Sequence, residues 1–209
     1  VDALEYALNW TGPKGEKVRI INISQSWGNH QRADNLVKEA YKHGIITVAA
    51  AGNEGDGNPD TDEICYPAYL PEAIAVGAYD HNQNRIWGSS NSNDKVDIIA
   101  PGRRIVTTSI QSDDYNGQRG WMVASGTSIA APFVSAAIAL IISKFEKQLG
   151  RQLTVDEIKY ELFKRARDIK YNRRLQGHGM LDLSIDPNNF GLPEYVQMWH
   201  PEKKKISTI

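Results

Sequence analysis

Two short segments hold residues whose types and spacing suit covalent chemistry. In Gly126-Thr127-Ser128-Ile129-Ala130-Ala131-Pro132, a serine stands at the entrance to a long apolar run. A serine in that position is often no more than a helix cap. Capping explains neither the small residues around it nor Pro132, which is tolerated only near a helix start. A nucleophilic Ser128 would gain from the positive end of the helix dipole, which favours a developing oxyanion. In Ala49-Ala50-Ala51-Gly52-Asn53-Glu54-Gly55, small side chains and glycines allow an abrupt turn that projects Asn53. Alone, that second segment is most simply a turn.

These segments need elements to hold them. Residues 18–23, 45–51, 73–78 and 96–100 are short apolar runs rich in β-branched residues, the pattern of strands covered on both faces. Residues 32–43 show helical apolar spacing, with Gly44 placed to stop the helix. Residues 128–145 are apolar nearly all round, which predicts a helix buried in the centre of the domain. Thr154 and Glu157 form a capping box for another helix, and residues 177–182 suggest a tight turn and a short strand. Strand, helix, strand in this rhythm predicts an α/β domain with a parallel sheet flanked by helices.

The chain has 209 residues, room for one sizeable core, and its 24 Lys plus Arg against 25 Asp plus Glu leave a net charge of −1. That balance gives no global attraction to nucleic acid or to an anionic membrane, and neither is expected as a partner. The apolar run at 136–142 is far below the roughly 20 residues of a membrane span. One cysteine, Cys65, excludes an internal disulfide framework. The glycines near Asn53 do not follow a nucleotide-binding pattern, so no organic cofactor is expected. Residues 56–67 lack the glycine and glutamate of a calcium-binding EF-hand loop; an acidic loop in water is the simpler reading. Residues 1–185 form the domain and 186–209, rich in Pro, Asn and Lys, a C-terminal extension. A helix-like apolar stripe from Val1 suggests a domain cut at its upstream edge.

With these residues in view, Gly126–Pro132 resembles the nucleophile motif of the subtilases, the subtilisin-like serine peptidases, and Ala49–Gly55 resembles their oxyanion-hole segment. Tyr66-Pro67, residues 73–78, residues 97–102 and residues 177–182 match further blocks in the family's order. Residues 11–16 and 55–57 look most like the intracellular subtilisins, which implies a cytoplasmic location. The resemblance implies a subtilisin-like fold, incomplete at its N-terminal side, and a serine endopeptidase acting on protein or peptide substrates. It assigns Ser128 as nucleophile and Asn53, with the Ser128 backbone N–H, as oxyanion donors. Ala50, Ala51, Gly52 and Cys65 would wall the pocket for the residue before the cleaved bond. Ser24, Ser26, Trp27 and Gly28 would pair with an extended substrate backbone, in a register of either Ser24-Gln25-Ser26 or Ser26-Trp27-Gly28. Asp97 with the carbonyls of Ala68, Leu70 and Ala73 aligns with a weak site for calcium or another cation.

One departure limits activity. Subtilases place their catalytic Asp and His ahead of the nucleophile, and none of His30, His43, His81, His178 or His200 sits in a matching motif. A serine without a positioned base is a weak nucleophile. The Asp and His would come from an upstream segment or a separate chain, and an oligomer is compatible with that. The alternative is a catalytically incompetent fragment that binds peptides or complements another chain.

Overall fold

The computed structural model describes residues 1–28, 30–110, 114–115 and 118–184. The extension at 186–209, with His200, lies outside the described residues. In chain order the first half contains α1 (Asp2–Asn9), β1 (Ile20–Ile23), α2 (Gln31–Lys42), β2 (Ile46–Ala50), β3 (Ala73–Asp80), β4 (Arg85–Ile86) and β5 (Val96–Pro101). The second half contains β6 (Ile105–Thr108), β7 (Asp114–Tyr115), β8 (Gln118–Arg119), β9 (Trp121–Ala124), α3 (Thr127–Leu149), α4 (Val155–Phe163), β10 (Ala166–Arg167), α5 (Arg173–Gln176) and β11 (Met180–Leu181).

Seven strands form one sheet in the order β1-β2-β3-β5-β11-β10, with β4 paired on β3. The pairs from β1 through β11 are parallel, and β10 and β4 run antiparallel to their neighbours. The strands are nearly continuous apolar runs because both faces are covered. Alternation decides which residue meets which layer. Ile46, Val48, Ile74, Val76, Ile98 and Ala100 pack against α3. Ala49, Ala73 and Ala75 face the other way, toward Leu36 and Val37 of α2 and Leu4 of α1.

The central helix differs from its expectation of burial on every side. Ala130, Ala131, Val134, Ala137, Ile138, Ile141 and Phe145 make one buried stripe, while Phe133 is 42% and Leu140 62% exposed. At 23 residues α3 is long and apolar enough to cross a membrane, yet its buried stripe lies along the sheet. Pro132 falls in its second turn, where it removes the N–H that would bond the carbonyl of Ser128. The Ser24 hydroxyl takes that place, donating to Ser128 O at 2.7 Å. A proline that looks disruptive in sequence thus frees an acceptor that ties the end of β1 to the start of α3. Beyond it the helix ends at Gly150 in the left-handed conformation. Thr154 and Glu157 form the reciprocal capping box at α4.

Thr47, in the middle of β2, is 1% exposed and its hydroxyl has no hydrogen-bond partner among the described residues. An unpaired buried hydroxyl costs more than the methyl that could replace it. Thr47→Val is therefore expected to raise stability by about 1 kcal/mol, read from the midpoint of urea unfolding at unchanged slope. A destabilised variant would show that the hydroxyl is satisfied in solution.

Candidate active site

The C-terminal ends of β1 and β2 and the N-terminus of α3 meet at one point, as expected for a parallel sheet whose strands all deliver their loops to the same edge. Gly52 follows β2 at φ +112, and a side chain there would collide with the amide of Asn91. The resulting turn aims Asn53 at Thr127. Asn53 Oδ1 accepts from the Thr127 N–H at 2.9 Å and from its hydroxyl at 3.0 Å. A backbone N–H can only donate, so the atom facing it is the oxygen, and the Asn53 Nδ2 has no hydrogen-bond partner among the described residues.

Thr127 itself is fully buried. Its hydroxyl accepts from the Gly52 N–H and lies within hydrogen-bond distance of Gly52 O, both at 3.2 Å. The first turn of α3 is otherwise closed, because the Ile129 and Ala130 N–H groups reach Gly126 O. That leaves the Ser128 N–H without a partner among the described residues. Asn53 Nδ2 and Ser128 N lie 3.6 and 3.7 Å from the point where a Cβ on Gly126 would stand. Two donors without partners among the described residues thus lie close to one point beside Gly126, at a helix N-terminus that favours negative charge. Such an arrangement can stabilise the oxyanion of an acyl-transfer intermediate.

A cavity of about 140 Å³ adjoins these donors, lined by Ser24, Gln25, Ser26, Ala50, Gly52, Asn53, Glu54, Cys65, Thr127 and Ser128. Of the residues expected to bind substrate, Ser24, Ser26, Ala50, Gly52 and Cys65 are brought together here. Trp27, Gly28 and Ala51 do not line it. The Trp27 indole turns away to Asp34 at 2.9 Å, and Ala51 is used as a sheet donor to Val76 O. Of the two candidate registers, Ser24-Gln25-Ser26 is the one whose three residues all line the cavity. Burial pushes the Cys65 thiol up, against the lowering effect of its bond to Ser26, so it is a poor nucleophile at neutral pH.

Several contributors are hard to find by motif. Glu54 lines the cavity, and its Oε2 holds the Asn53 N–H at 2.9 Å. Asn91 is 1% exposed; it accepts from Glu54 N–H at 2.7 Å and donates to Glu63 O at 3.2 Å. The one available signal is the run Ser89-Ser90-Asn91-Ser92-Asn93, polar yet placed between two buried strands. The four described histidines are all distant in role from Ser128. His30 caps α2, His43 lies by Glu39, and His81 is exposed after β3. His178 stacks on Phe163 at 4.0 Å, and burial, then the charge of Arg173, pushes its pKa down.

The family model for the subtilase family matches residues 1–179. The major intracellular serine protease of Bacillus subtilis (strain 168) is 36% identical over 187 residues, covering 88% of this chain and 54% of that protein. The intracellular serine protease of Paenibacillus polymyxa is 37% identical over 174 residues, 81% of this chain and 50% of that protein. Subtilisin DY of Bacillus licheniformis is 37% identical over 145 residues, 68% of this chain and 48% of that protein. The chain thus spans about half the length of the curated relatives it matches.

Three of the four groups expected to hold a cation, Asp97 and the carbonyls of Leu70 and Ala73, are already engaged. Asp97 Oδ2 accepts from Ala75 N–H at 2.9 Å, and Leu70 O accepts from Ala73 N–H at 3.0 Å. Lys159 from α4 donates its ammonium to Pro71 O at 2.8 Å and to Ala73 O at 3.3 Å. Desolvation pushes the Asp97 carboxyl up to about 6, opposed by the Ala75 N–H and then by the charges of Lys159, Arg173 and Lys95. Three cationic side chains around one carboxylate, with carbonyls already bonded to an ammonium, do not fit a divalent ion that needs six or more oxygens. The Lys159 ammonium already binds one of the carbonyls expected to hold a cation, that of Ala73. Lys159→Met is expected to lose up to about 1.5–3 kcal/mol, the range for hydrogen bonds to a charged group. Its melting temperature should gain more from millimolar calcium than the wild type's does. An equal response to calcium and to chelator in both proteins would refute the assignment.

Proposed function

The chain belongs to the subtilase family, and on that premise we propose that it carries the nucleophile and oxyanion site of a serine endopeptidase. The observation that supports this most directly is a pair of donors without partners among the described residues, Asn53 Nδ2 and Ser128 N–H, close together beside Gly126, with Asn53 held by Thr127. In the proposed reaction an extended peptide lies along Ser24-Gln25-Ser26, with the side chain before the cleaved bond in the cavity walled by Ala50, Gly52 and Cys65. Ser128 Oγ attacks the carbonyl carbon while a general base takes the hydroxyl proton. The carbonyl oxygen becomes an oxyanion between the two donors, and collapse of the intermediate expels the amine, which leaves with the proton. Water then repeats the sequence and frees the acid from Ser128.

The histidine that acts as base, and the aspartate that orients it, come in this proposal from outside these 209 residues, through an upstream segment or a separate chain. The capping role of His30, the Glu39 neighbour of His43 and the stacking of His178 on Phe163 support this reading, in which the chain is inactive by itself. A cytoplasmic location is proposed from the likeness to intracellular serine proteases.

Intact mass after treatment with a fluorophosphonate probe tests both parts. Together with the residues that supply Asp and His, the wild type should take a single adduct, and Ser128→Ala none. Asn53→Leu should react about 10²–10³ more slowly; that figure is the subtilisin family's known cost of losing this donor, not a value obtained from this geometry. The 209 residues alone should stay unlabelled. No adduct on the completed protein would sink the peptidase reading, and a rapid adduct on the 209 residues alone would sink the external base.

A further inference from the structure

A second cavity, of about 390 Å³, opens at the same edge of the sheet, at the C-terminal ends of β3 and β5. Three arginines line it, Arg85, Arg103 and Arg104, with Trp87 in its wall. Arg103 stands over the Trp87 ring at 5.9 Å from its centroid. The one acidic residue in the lining, Asp80, is 5% exposed and uses Oδ1 to accept from the N–H groups of Asn82 and Gln83. None of the three arginines has an ion pair among the described residues. Arg19, Arg32, Arg151, Arg165, Arg167 and Arg174 all have a carboxylate partner. In a chain with a net charge of −1, three unpaired guanidinium groups in one concavity are a local excess of donors shaped for planar anions.

The cavity is joined to the reacting centre through the backbone. Ser89, in its wall, accepts from the N–H of Gly55, just after Asn53. Gly102, the residue before Arg103, accepts from the Gly126 N–H, and the Arg104 N–H donates to Ser125 Oγ at 3.0 Å. Arg104 is held at φ +53, a conformation unfavourable for a side-chain-bearing residue. In the sheet order β1-β2-β3-β5, the pocket lined by Ser26 and Ala50 lies on one side of Asn53 and this cavity on the other. Strands about 4.8 Å apart put the cavity roughly 7–10 Å across from the end of β2, two or three residues of extended peptide.

We propose that Arg85, Arg103 and Arg104 form an anion subsite that receives the carboxylate of an acidic residue two or three positions beyond the cleaved bond, on the leaving-group side. This rests on the peptidase reading for the presence of a peptide. The cavity itself is independent of that reading.

The test uses the completed protein carrying Ser128→Ala, so that peptides bind without being cut. Two labelled peptides, alike except for Glu or Gln at the second and third positions after the bond, are titrated by fluorescence anisotropy. The Glu peptide should bind at least about tenfold more tightly, as expected for charge-assisted pairing. That preference should vanish in Arg103→Gln/Arg104→Gln and shrink in Arg85→Gln, with Gln-peptide affinity and circular dichroism unchanged. Inorganic phosphate should weaken the Glu peptide only. Equal affinities for the two peptides would overturn the subsite and leave the peptidase reading standing. Binding of phosphate through the arginines without effect on either peptide would mean a free anion is the ligand, which also overturns it. If neither peptide binds, the peptidase reading falls and the substrate subsite falls with it.

Discussion

The hydroxyl of Thr127 is the contact on which the rest of the site depends. It is fully buried, between the end of β2 and the first residue of α3, and it meets both polar groups of Gly52 as well as Asn53 Oδ1. A valine of the same shape would leave the Gly52 N–H buried without an acceptor, so the clamp needs a hydroxyl and not only a β-branched side chain. Because the clamp saturates the Asn53 oxygen, the asparagine can present only its nitrogen to the site. The Gly126 carbonyl likewise absorbs the next N–H groups of the helix, and Ser128 N–H is left over. The free donors are set by which of their neighbours are already paired.

The turn carrying Asn53 is held from behind by a polar interior. Ser90, Asn91, Ser92 and Asn93 are each 4% exposed or less, although a run of serine and asparagine looks like a surface loop. Each has a partner that repays its desolvation. Ser90 Oγ accepts from Ala78 N–H, Asn91 bridges Glu54 and Glu63, Ser92 reaches the carbonyls of Asn58 and Thr61, and Asn93 donates to Glu63 O. A network this fully satisfied rigidifies the loop between β4 and β5 and, through Asn91, the wall of the pocket. Cys65 sits in the same wall as a small apolar group whose thiol stays protonated, which suits lining more than reaction.

The sheet and its helices were legible because burial on both faces writes itself into sequence as β-branched runs separated by helical spacing. What escaped was whatever depends on a partner distant in sequence. The pair β6 and β9 was not anticipated, since Ile105–Thr108 and Trp121–Ala124 alternate between half-buried and exposed residues and pair across the intervening segment. The exposed face of α3 was missed for a related reason. Composition says that Phe133 and Leu140 are apolar, but not which side of the helix meets the sheet. Ser128 and Asn53 were found because their small neighbours are a local signature. Thr127, adjacent to one of them, could be assigned its part only once the end of β2 was seen beside it.

Charge follows the same logic at longer range. A net charge of −1 describes none of the local arrangements that matter. Around Asp97, Lys159 reaches back from α4 to the carbonyls of Pro71, in the loop before β3, and of Ala73, the first residue of β3, so a single ammonium joins three elements. At the sheet's C-terminal edge the opposite holds. The Ser128 N–H, the Asn53 amide nitrogen and the guanidinium groups of the three arginines beyond β3 and β5 have no acceptor among the described residues, and the parallel arrangement of the strands gathers them on one rim. Positive potential from a helix N-terminus and from guanidinium groups adds along that rim. A ligand that matches it must bring acceptors at two places: one at the end of β2, where the acceptor is a carbonyl becoming an oxyanion, and one a few residues along, where it is a full carboxylate.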